Sequence, residues 1–321
     1  MGPEHAPPAV LRQSSALQIW KGGLELIPRE KLTEIIIELL KRASICLPRS
    51  VKEELQAALR KEEEEVTRHQ LETILENISI AEDREIPVCQ DTGVPIFFAK
   101  VGRNWAAVSE VAAAITEGTV KATKAIPLRE NVIHPLTKEN SGTNTGWRMP
   151  FIYYEMTSEE FSEIQVLLKG FGSEAKTSLA YIPTSEDVVK GTLKFVLDCA
   201  RKGFGEPCPP YILGVGMGGT SDIAAMLAKK AFLRLPLGKK NPDPAAADLE
   251  EKLLAAVNAT GIGAMGMGGK TTALAVHVEL CGTHSAAVPV AVAIQCWADR
   301  QAAVRIHSDG TFEFLEERKN G

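Results

Sequence analysis

The sequence divides at Pro87-Val88-Cys89-Gln90-Asp91-Thr92-Gly93, a turn that leads into the apolar run Ile96-Phe97-Phe98-Ala99. Apolar residues before this turn recur at helical spacing, whereas the run after it is typical of a strand. The turn also places a thiol, an amide and a carboxylate side by side. A soft metal ligand and an acid/base group therefore lie where the helical region ends.

Upstream of this turn, apolar residues at helical spacing predict helices over 30–43 and 51–80. The acidic run 62–65 is predicted to be the solvated face or the junction of these helices. Downstream, 96–101 is predicted to form a strand.

Farther along, 105–124 is Ala-rich and predicted to be helical, and 125–150 is rich in turn formers. A loop of that length is either disordered or functional. We expect strands over 151–155 and 163–168 to pair with each other. The remaining predicted elements are helices over 185–202 (capped by Thr184 or Ser185), 222–233 and 241–259, and strands over 211–215, 271–279, 286–295, 302–306 and 311–315.

The order of these elements indicates the fold class. Helices and strands do not alternate strictly, which favours an α+β fold over a doubly wound sheet. We predict a helical N-terminal region packed on a mixed, largely antiparallel sheet core surrounded by helices. With no internal repeat and no convincing linker, 1–321 is predicted to be one domain with 1–15 as a flexible tail.

The composition of the chain excludes several classes of function. The 321 residues are 45% hydrophobic and 24% charged, with a net charge of −5, so no basic field points to nucleic acid or an acidic membrane. The N-terminus lacks the basic start and apolar stretch of a signal peptide. Apolar stretches such as 286–294 are too short to span a bilayer. Six cysteines are too sparse for a disulfide scaffold. We therefore expect a cytoplasmic protein whose cysteines are thiols or metal ligands.

The cysteines fall into two groups. Cys46 and Cys199 lie in or at the end of helical patterns, where free cysteine behaves as a small buried apolar residue. No CxxC pair is present, so structural zinc is not predicted. The residues alone leave open which three of the remaining four could bind a metal cluster: Cys89, Cys208, Cys281 and Cys296.

Two glycine-rich stretches approximate nucleotide-binding motifs. Residues 264–271 read A-x-x-x-x-G-K-T, which lacks the first Gly of a phosphate-binding loop. Residues 214–219 follow a predicted strand, but their third Gly falls one position early for a dinucleotide fingerprint. We interpret the first stretch as a turn near the cysteines and the second as backbone that lines their pocket.

Six short motifs, in chain order, carry a family resemblance: Cys89-Gln90-Asp91-Thr92-Gly93, Lys169-Gly170-Phe171-Gly172-Ser173-Glu174, Pro207-Cys208-Pro209-Pro210, Gly214-Val215-Gly216-Met217-Gly218-Gly219, Gly266-Met267-Gly268-Gly269-Lys270-Thr271-Thr272 and Gln295-Cys296-Trp297-Ala298. As a set they resemble the iron–sulfur-dependent class I fumarases, and more narrowly the α subunit of the two-subunit form. The α subunit of L-tartrate dehydratase shares much of this pattern. The resemblance covers roughly residues 30 to 310.

This resemblance implies a [4Fe–4S] cluster held by Cys89, Cys208 and Cys296, which leaves Cys281 out. Three thiolates on four irons leave one iron without a protein ligand. Such an iron can act as a Lewis acid on the substrate hydroxyl.

The resemblance also implies the residues that act on the substrate. His284 matches a family histidine that pairs with Asp91, and we expect Asp91, two residues from a cluster ligand, to handle the proton on the leaving oxygen while His284 sets its protonation state. The implied substrate-binding residues, suited to gripping a carboxylate through a guanidinium, an amide and backbone N–H groups, are Arg129, Gln90 and Gly172.

The expected reaction is the reversible hydration of fumarate to L-malate, with dehydration of tartrate to oxaloacetate as the alternative. A non-catalytic iron–sulfur sensor or scaffold is the third reading, which would have no need for Asp91, Arg129 and His284 together. Single-chain relatives carry a second domain with further arginine and lysine residues and a threonine base. We therefore expect a separate β subunit that completes the site, and an α2β2 assembly. Phe171 and Trp147 depart from the common pattern and bear on substrate choice.

Overall fold

The computed structural model describes residues 27–103 and 108–315. The predicted tail 1–15 and the first residues of the predicted helix 105–124 lie outside these ranges. The α-helices are α1 (Arg29–Ile45), α2 (Arg49–Lys61), α3 (Glu65–Arg84), α4 (Val108–Ala125), α5 (Phe171–Glu174), α6 (Val188–Gly203), α7 (Ser221–Lys230) and α8 (Pro244–Asn258). The strands are β1 (Val94–Val101), β2 (Phe151–Met156), β3 (Phe161–Lys169), β4 (Ser178–Pro183), β5 (Tyr211–Met217), β6 (Ala273–Leu280), β7 (Ala287–Gln295), β8 (Gln301–His307) and β9 (Phe312–Phe314).

The described strands form two sheets. One has the order β2-β1-β3-β8-β9 and the other β4-β7-β5-β6. The β1–β2 and β5–β6 pairs are parallel, and the other pairs are antiparallel. This confirms the α+β class and the mixed, largely antiparallel character, but the β structure is divided between two sheets.

The expected pairing of β2 with β3 is wrong, because β1 lies between them. Helix α4 and the loop after it carry the chain from β1 to its outer edge, where β2 runs parallel. A parallel neighbour requires such a crossover, whereas a hairpin would have given an antiparallel pair. Apolar periodicity identified both strands but contains no information on which edge each one joins.

The acidic run 62–65 breaks the predicted helix 51–80 into α2 and α3, so its interpretation as a junction is correct. The interpretation as a solvated face is wrong for Glu62, which is 3% exposed. Its carboxylate accepts hydrogen bonds from the backbone N–H groups of Glu63 and Lys270, both at 2.9 Å. Glu62 thus joins the helix junction to the glycine-rich turn 264–271.

Two other local predictions need correction. Helix α6 begins later than expected, since its N-cap is Asp187, whose carboxylate accepts from the Lys190 N–H at 3.0 Å. Cys46 is exposed, because α1 ends at Ile45 and the chain turns away in an extended conformation. Cys199 is buried, as predicted.

Three apolar clusters fill the interior. The first lies between α1, α4 and the five-stranded sheet. The second lies between α2, α3, α7 and one face of the four-stranded sheet, and Cys89 and Cys296 pack against it. The third lies between α6, α8 and the opposite face of that sheet.

Neither glycine-rich stretch has the role of a nucleotide loop. In the turn 264–271, the Lys270 backbone N–H donates to the Glu62 carboxylate, and the Lys270 ammonium group pairs with Glu63. Acidic side chains therefore bind the groups that would bind phosphate in a nucleotide-binding loop. The Met265 N–H donates to Pro209, which places this turn beside Cys208, as interpreted. Gly214 and Gly216 do not line the cysteine pocket. A Cβ on either would lie within 2.0 Å of a carbonyl oxygen of α7, so they permit close packing of helix on strand.

The buried His277 predicts a pH dependence of stability. Burial lowers its pKa to about 4 from 6.5, while its Nδ1 lies 3.0 Å from the Ala231 carbonyl oxygen. The unfolded chain therefore binds more protons between these values, and stability is full above pH 6.5 and falls as the pH drops toward 4. The expected loss is roughly 3 kcal/mol.

Urea unfolding of the apo chain at pH 7 and pH 4.5 measures this loss. We expect a His277→Gln variant to show a smaller loss than wild type. A matched His69→Gln variant, at a side chain that is 77% exposed, should follow wild type. Equal losses in wild type and His277→Gln would contradict the prediction.

Candidate active site

Three cysteines meet at one end of the four-stranded sheet. Cys89 lies in the turn between α3 and β1, Cys208 precedes β5, and Cys296 follows β7. Since β5 and β7 are antiparallel, with Ile212 opposite Gln295, the last two cysteines lie at the same end. The Trp297 N–H donates to the Cys208 carbonyl oxygen at 3.2 Å, which joins the two loops directly.

The three thiols lie close enough to influence one another electrostatically. Burial, together with the neighbouring Cys296 and Cys89, raises the pKa of Cys208 to about 11. Burial also raises the pKa of Cys296, whereas Arg300 and Lys169 lower it. None of these cysteines forms a disulfide. The Cys208 and Cys296 thiols would therefore lose their protons more readily in the presence of positive charge, such as a bound metal provides.

Cys281 and His284 lie at the other end of the same sheet. Both belong to the exposed loop between β6 and β7, and the Cys281 N–H donates to the Met217 carbonyl oxygen. Strand β7 separates this loop from Cys296 by nine residues, or roughly 30 Å at about 3.3 Å per residue. The structure therefore separates Cys281 from the other three cysteines, and it does not bring His284 to Asp91 within one chain.

Asp91 is held by three N–H donors. Its Oδ1 accepts from the Gly93 N–H and from the Asn131 amide, both at 3.1 Å, and its Oδ2 accepts from the Phe171 N–H at 2.8 Å. The last donor lies at the start of α5. A turn, a loop and a helix end thus fix one carboxylate two residues from Cys89.

Gly170 is needed for this arrangement. A Cβ at this position would lie 2.8 Å from Arg300 Nη2 and 3.2 Å from Asp91 Oδ2. Any side chain would therefore push the carboxylate and the guanidinium apart. The glycine lets the end of β3 approach the Asp91 turn closely.

A cavity of about 700 Å³ opens beside Asp91. Arg129 lies on its lining, with its backbone fixed by hydrogen bonds to Thr92 and Asn144. Within the described ranges, no acidic side chain forms an ion pair with the Arg129 guanidinium. Aromatic side chains cover part of the cavity, and further charged groups complete its lining: Phe151, Tyr153, Phe171, Lys169, Glu174 and Lys229.

The two other predicted substrate contacts occupy different positions. Gln90 is exposed beside Asp91 in the same turn. Gly172 is exposed in α5, and a Cβ there would lie 3.2 Å from the Glu206 carbonyl oxygen, in the segment before Cys208. Both are close in sequence to residues of the site, and Gly172 lies between the Asp91 turn and the Cys208 loop.

Sequence reasoning missed three residues that build this site. Asn131 holds Asp91, as described above. Lys169 is 3% exposed, its Nζ lies 2.5 Å from Ser173 Oγ, and burial lowers its pKa to about 8. Arg300 is 1% exposed and donates to the Asp91 carbonyl oxygen. Two of them had one sequence signal each: Lys169 lies inside one of the six motifs, at the end of β3, and Arg300 lies two residues after another motif, just before β8.

Whether these residues could hold an iron–sulfur cluster depends on the ligand atoms that they offer. Among the described residues, no three His, Cys, Asp or Glu side chains are gathered around a point as ligands of one metal ion. A cluster of several irons holds its thiolates apart, so this finding concerns single-ion sites. Three free thiols from three loops, beside the buried cation of Arg300, fit a group that takes thiolate ligands and carries negative charge.

Comparison with known proteins agrees with the motif resemblance. Residues 33–305 match the family model described as fumarate hydratase (Fumerase). A Methanocaldococcus jannaschii protein named putative L(+)-tartrate dehydratase subunit alpha is 45% identical over 283 residues, covering 87% of this chain and 99% of that protein. The L(+)-tartrate dehydratase subunit alpha of Escherichia coli UTI89 is 33% identical over 291 residues, covering 90% and 95%. The corresponding K12 protein is 32% identical over the same length and coverage.

The chain belongs to the fumarate hydratase family, and it is an enzyme of the hydro-lyase class. This confirms the family predicted from the motifs. In the part of the chain that the structure describes, no helix combines the length and apolar character needed to cross a bilayer.

Proposed function

We propose that this chain is the α subunit of a [4Fe–4S]-dependent hydro-lyase that removes water from a hydroxylated four-carbon dicarboxylate. The observation that carries the proposal is Asp91, held by three N–H donors between three converging thiols and a cavity that contains the unpaired Arg129. A non-catalytic scaffold would not need this cavity. Six free cysteines support a reducing, cytoplasmic location.

Cys89, Cys208 and Cys296 would hold the cluster. When bound, the cluster supplies a Lewis acid at the iron that lacks a protein ligand. Arg129 binds one substrate carboxylate through its guanidinium fork. Asp91 moves the proton at the leaving hydroxyl oxygen, and Asn131 together with the Phe171 N–H holds its two oxygens in a fixed orientation. The aromatic side chains of the lining exclude water from one side of the cavity.

The proposal includes a separate β subunit, since the relatives are named as alpha subunits. Of the cations that line the cavity, Lys169 and Lys229 lie 3.8 and 2.6 Å from Glu174, so Arg129 is the one without an acidic partner among the described residues, whereas a dicarboxylate presents two anionic groups. A partner that covers the cavity would provide the second cationic group and the base that removes the carbon-bound proton. We propose an α2β2 assembly, in which His284 and Gln90 remain candidates for catalytic and substrate contacts.

The substrate proposed first is L(+)-tartrate. The relatives' names favour tartrate over the fumarate and malate expected from the motifs, whereas the family description favours fumarate hydration as the second candidate. The test is anaerobic co-expression with the β subunit, followed by turnover of L(+)-tartrate, L-malate and fumarate at equal concentrations. A higher kcat/KM on tartrate supports the first candidate, and a higher value on malate or fumarate replaces it with the second. No turnover of any of the three would contradict the proposed function.

Replacement of Arg129 by Ala should raise the KM for the dicarboxylate by about 10- to 100-fold, because a charge-assisted pair contributes about 1.5–3 kcal/mol. The cluster absorption should remain intact, since Arg129 is exposed and is not one of the proposed cluster ligands. An Arg103→Ala variant, at an exposed arginine of the turn that follows β1, serves as the control. Unchanged kinetics in Arg129→Ala would remove this residue from the site.

A further inference from the structure

Gln295, the last residue of β7, is fully buried and has no hydrogen-bond partner. Its exposure is 0%, and both Oε1 and Nε2 are unpaired in the structure. A buried amide without partners costs free energy, so each such group in a native protein requires an explanation. The position just before Cys296 suggests what the missing partner is.

The alternation of β7 shows which way this amide faces. Ala291 and Ala293, which share its parity, belong to the apolar cluster against which Cys89 and Cys296 pack. Residues of the other parity, such as Ile294, belong to the cluster on the opposite face. The pairing of β7 with β5 runs from Val290 to Gln295 without a register shift, so the alternation holds to the end of the strand. The Gln295 amide therefore lies on the cysteine side of the sheet.

Arg300, five residues after Gln295, is a second buried side chain with a polar atom that lacks a hydrogen-bond partner. It is 1% exposed, its Nε has no partner, and it forms no ion pair with a carboxylate of the described residues. A buried guanidinium without an anion is strongly unfavourable. Arg300 lies four residues after Cys296, and its Nη1 donates to the backbone carbonyl oxygen of Asp91, two residues after Cys89, so its guanidinium lies between two of the cysteine loops.

We propose that Gln295 and Arg300 supply hydrogen-bond donors to the sulfur atoms of the cluster that Cys89, Cys208 and Cys296 hold. The inference rests on the proposed function. Both residues are positioning residues, since they act on the cluster and not on substrate. Donors to sulfur stabilise the more negative, reduced state and so raise the reduction potential.

Gln295→Met tests this by comparing the apo and the cluster-loaded chain. Methionine preserves the volume but removes the donors. In urea unfolding, the apo variant should be at least as stable as wild type, because an unpaired amide has been removed. In the loaded protein, the reduction equilibrium should fall about tenfold, which is about 59 mV toward more negative potential for one electron. Iron release to a chelator should also be faster.

Tyr211→Phe is the matched control. The Tyr211 hydroxyl is likewise buried and unpaired, but its ring packs in the cluster on the opposite face of the sheet. Its removal should leave the reduction potential and the rate of iron release unchanged. Arg300→Lys provides a second variant that keeps the charge but loses Nε, and it should shift the potential in the same direction as Gln295→Met.

The outcomes separate this inference from the function on which it rests. A wild-type cluster with unchanged potential and iron release in both Gln295→Met and Arg300→Lys would overturn the inference alone. Equal destabilisation of apo and loaded Gln295→Met would assign the amide a structural role and overturn its part of the inference. Failure of wild type to bind iron and sulfide under anaerobic reconstitution would overturn the proposed function and the inference together.

Discussion

Replacement of Cys296 by Ser should reduce the bound iron and acid-labile sulfide from about four of each per chain to background. The same change at Cys281 should leave both unchanged. The reason is position: Cys296 shares one end of the four-stranded sheet with Cys208, while Cys281 lies beyond the other end of β7. A serine hydroxyl is a poor substitute for a thiolate as an iron ligand.

The measurement is anaerobic reconstitution with iron and sulfide, then iron and sulfide analysis of the desalted protein. Circular dichroism of both variants checks that the fold is intact. Cluster loss in Cys281→Ser with retention in Cys296→Ser would reverse the ligand assignment. Stoichiometric zinc in wild type would replace the cluster by a different kind of centre.

Asp91→Asn should lower kcat of the holoenzyme by about 10²- to 10⁴-fold while the cluster content stays at the wild-type level. An amide cannot take up or release the proton at the leaving oxygen. Its oxygen can still accept from Gly93 and Asn131, but its NH₂ group would face the Phe171 N–H. The lost hydrogen bond contributes only about 1 kcal/mol, so the folded structure should persist.

Turnover and iron content, measured on the same preparation, give the result. Asp83→Asn, at an exposed carboxylate of α3, should keep full activity and controls for the loss of a charge. An Asp91→Asn enzyme with the wild-type rate would remove Asp91 from the chemistry. Loss of iron along with activity would instead make Asp91 part of what holds the cluster.

The sequence predicted most of the helices and strands, but it did not predict which strands lie next to each other in the sheets. Apolar periodicity placed β1, β3, β5 and β7 to within a few residues, because each has an apolar face in a core. It missed β4, where exposed and buried residues are mixed. It also paired β2 with β3, since strand order depends on crossovers that no local pattern records.

The site was predicted through its motifs and only in part. Asp91 and four candidate cysteines were singled out because their residue types carry chemistry, and the family resemblance chose three of the four. Asn131, Lys169 and Arg300 were missed because their roles depend on tertiary contacts: an amide 40 positions away in sequence from Asp91, and two cations that are almost completely buried. A lysine or arginine in an isolated sequence is expected at the surface, and only the packing shows the exceptions.

Strand β7 acts as a fixed spacer between the two residues expected to act as a pair. Its nine paired residues cannot shorten, so an imidazole at one end and a carboxylate beyond the other stay apart as long as the sheet is folded. Any meeting of His284 with an Asp91 must then join two different molecules of this chain. Proton transfer between the two side chains would then require two chains to associate. Activity per molecule would therefore fall when the protein is diluted below the dissociation constant of that contact.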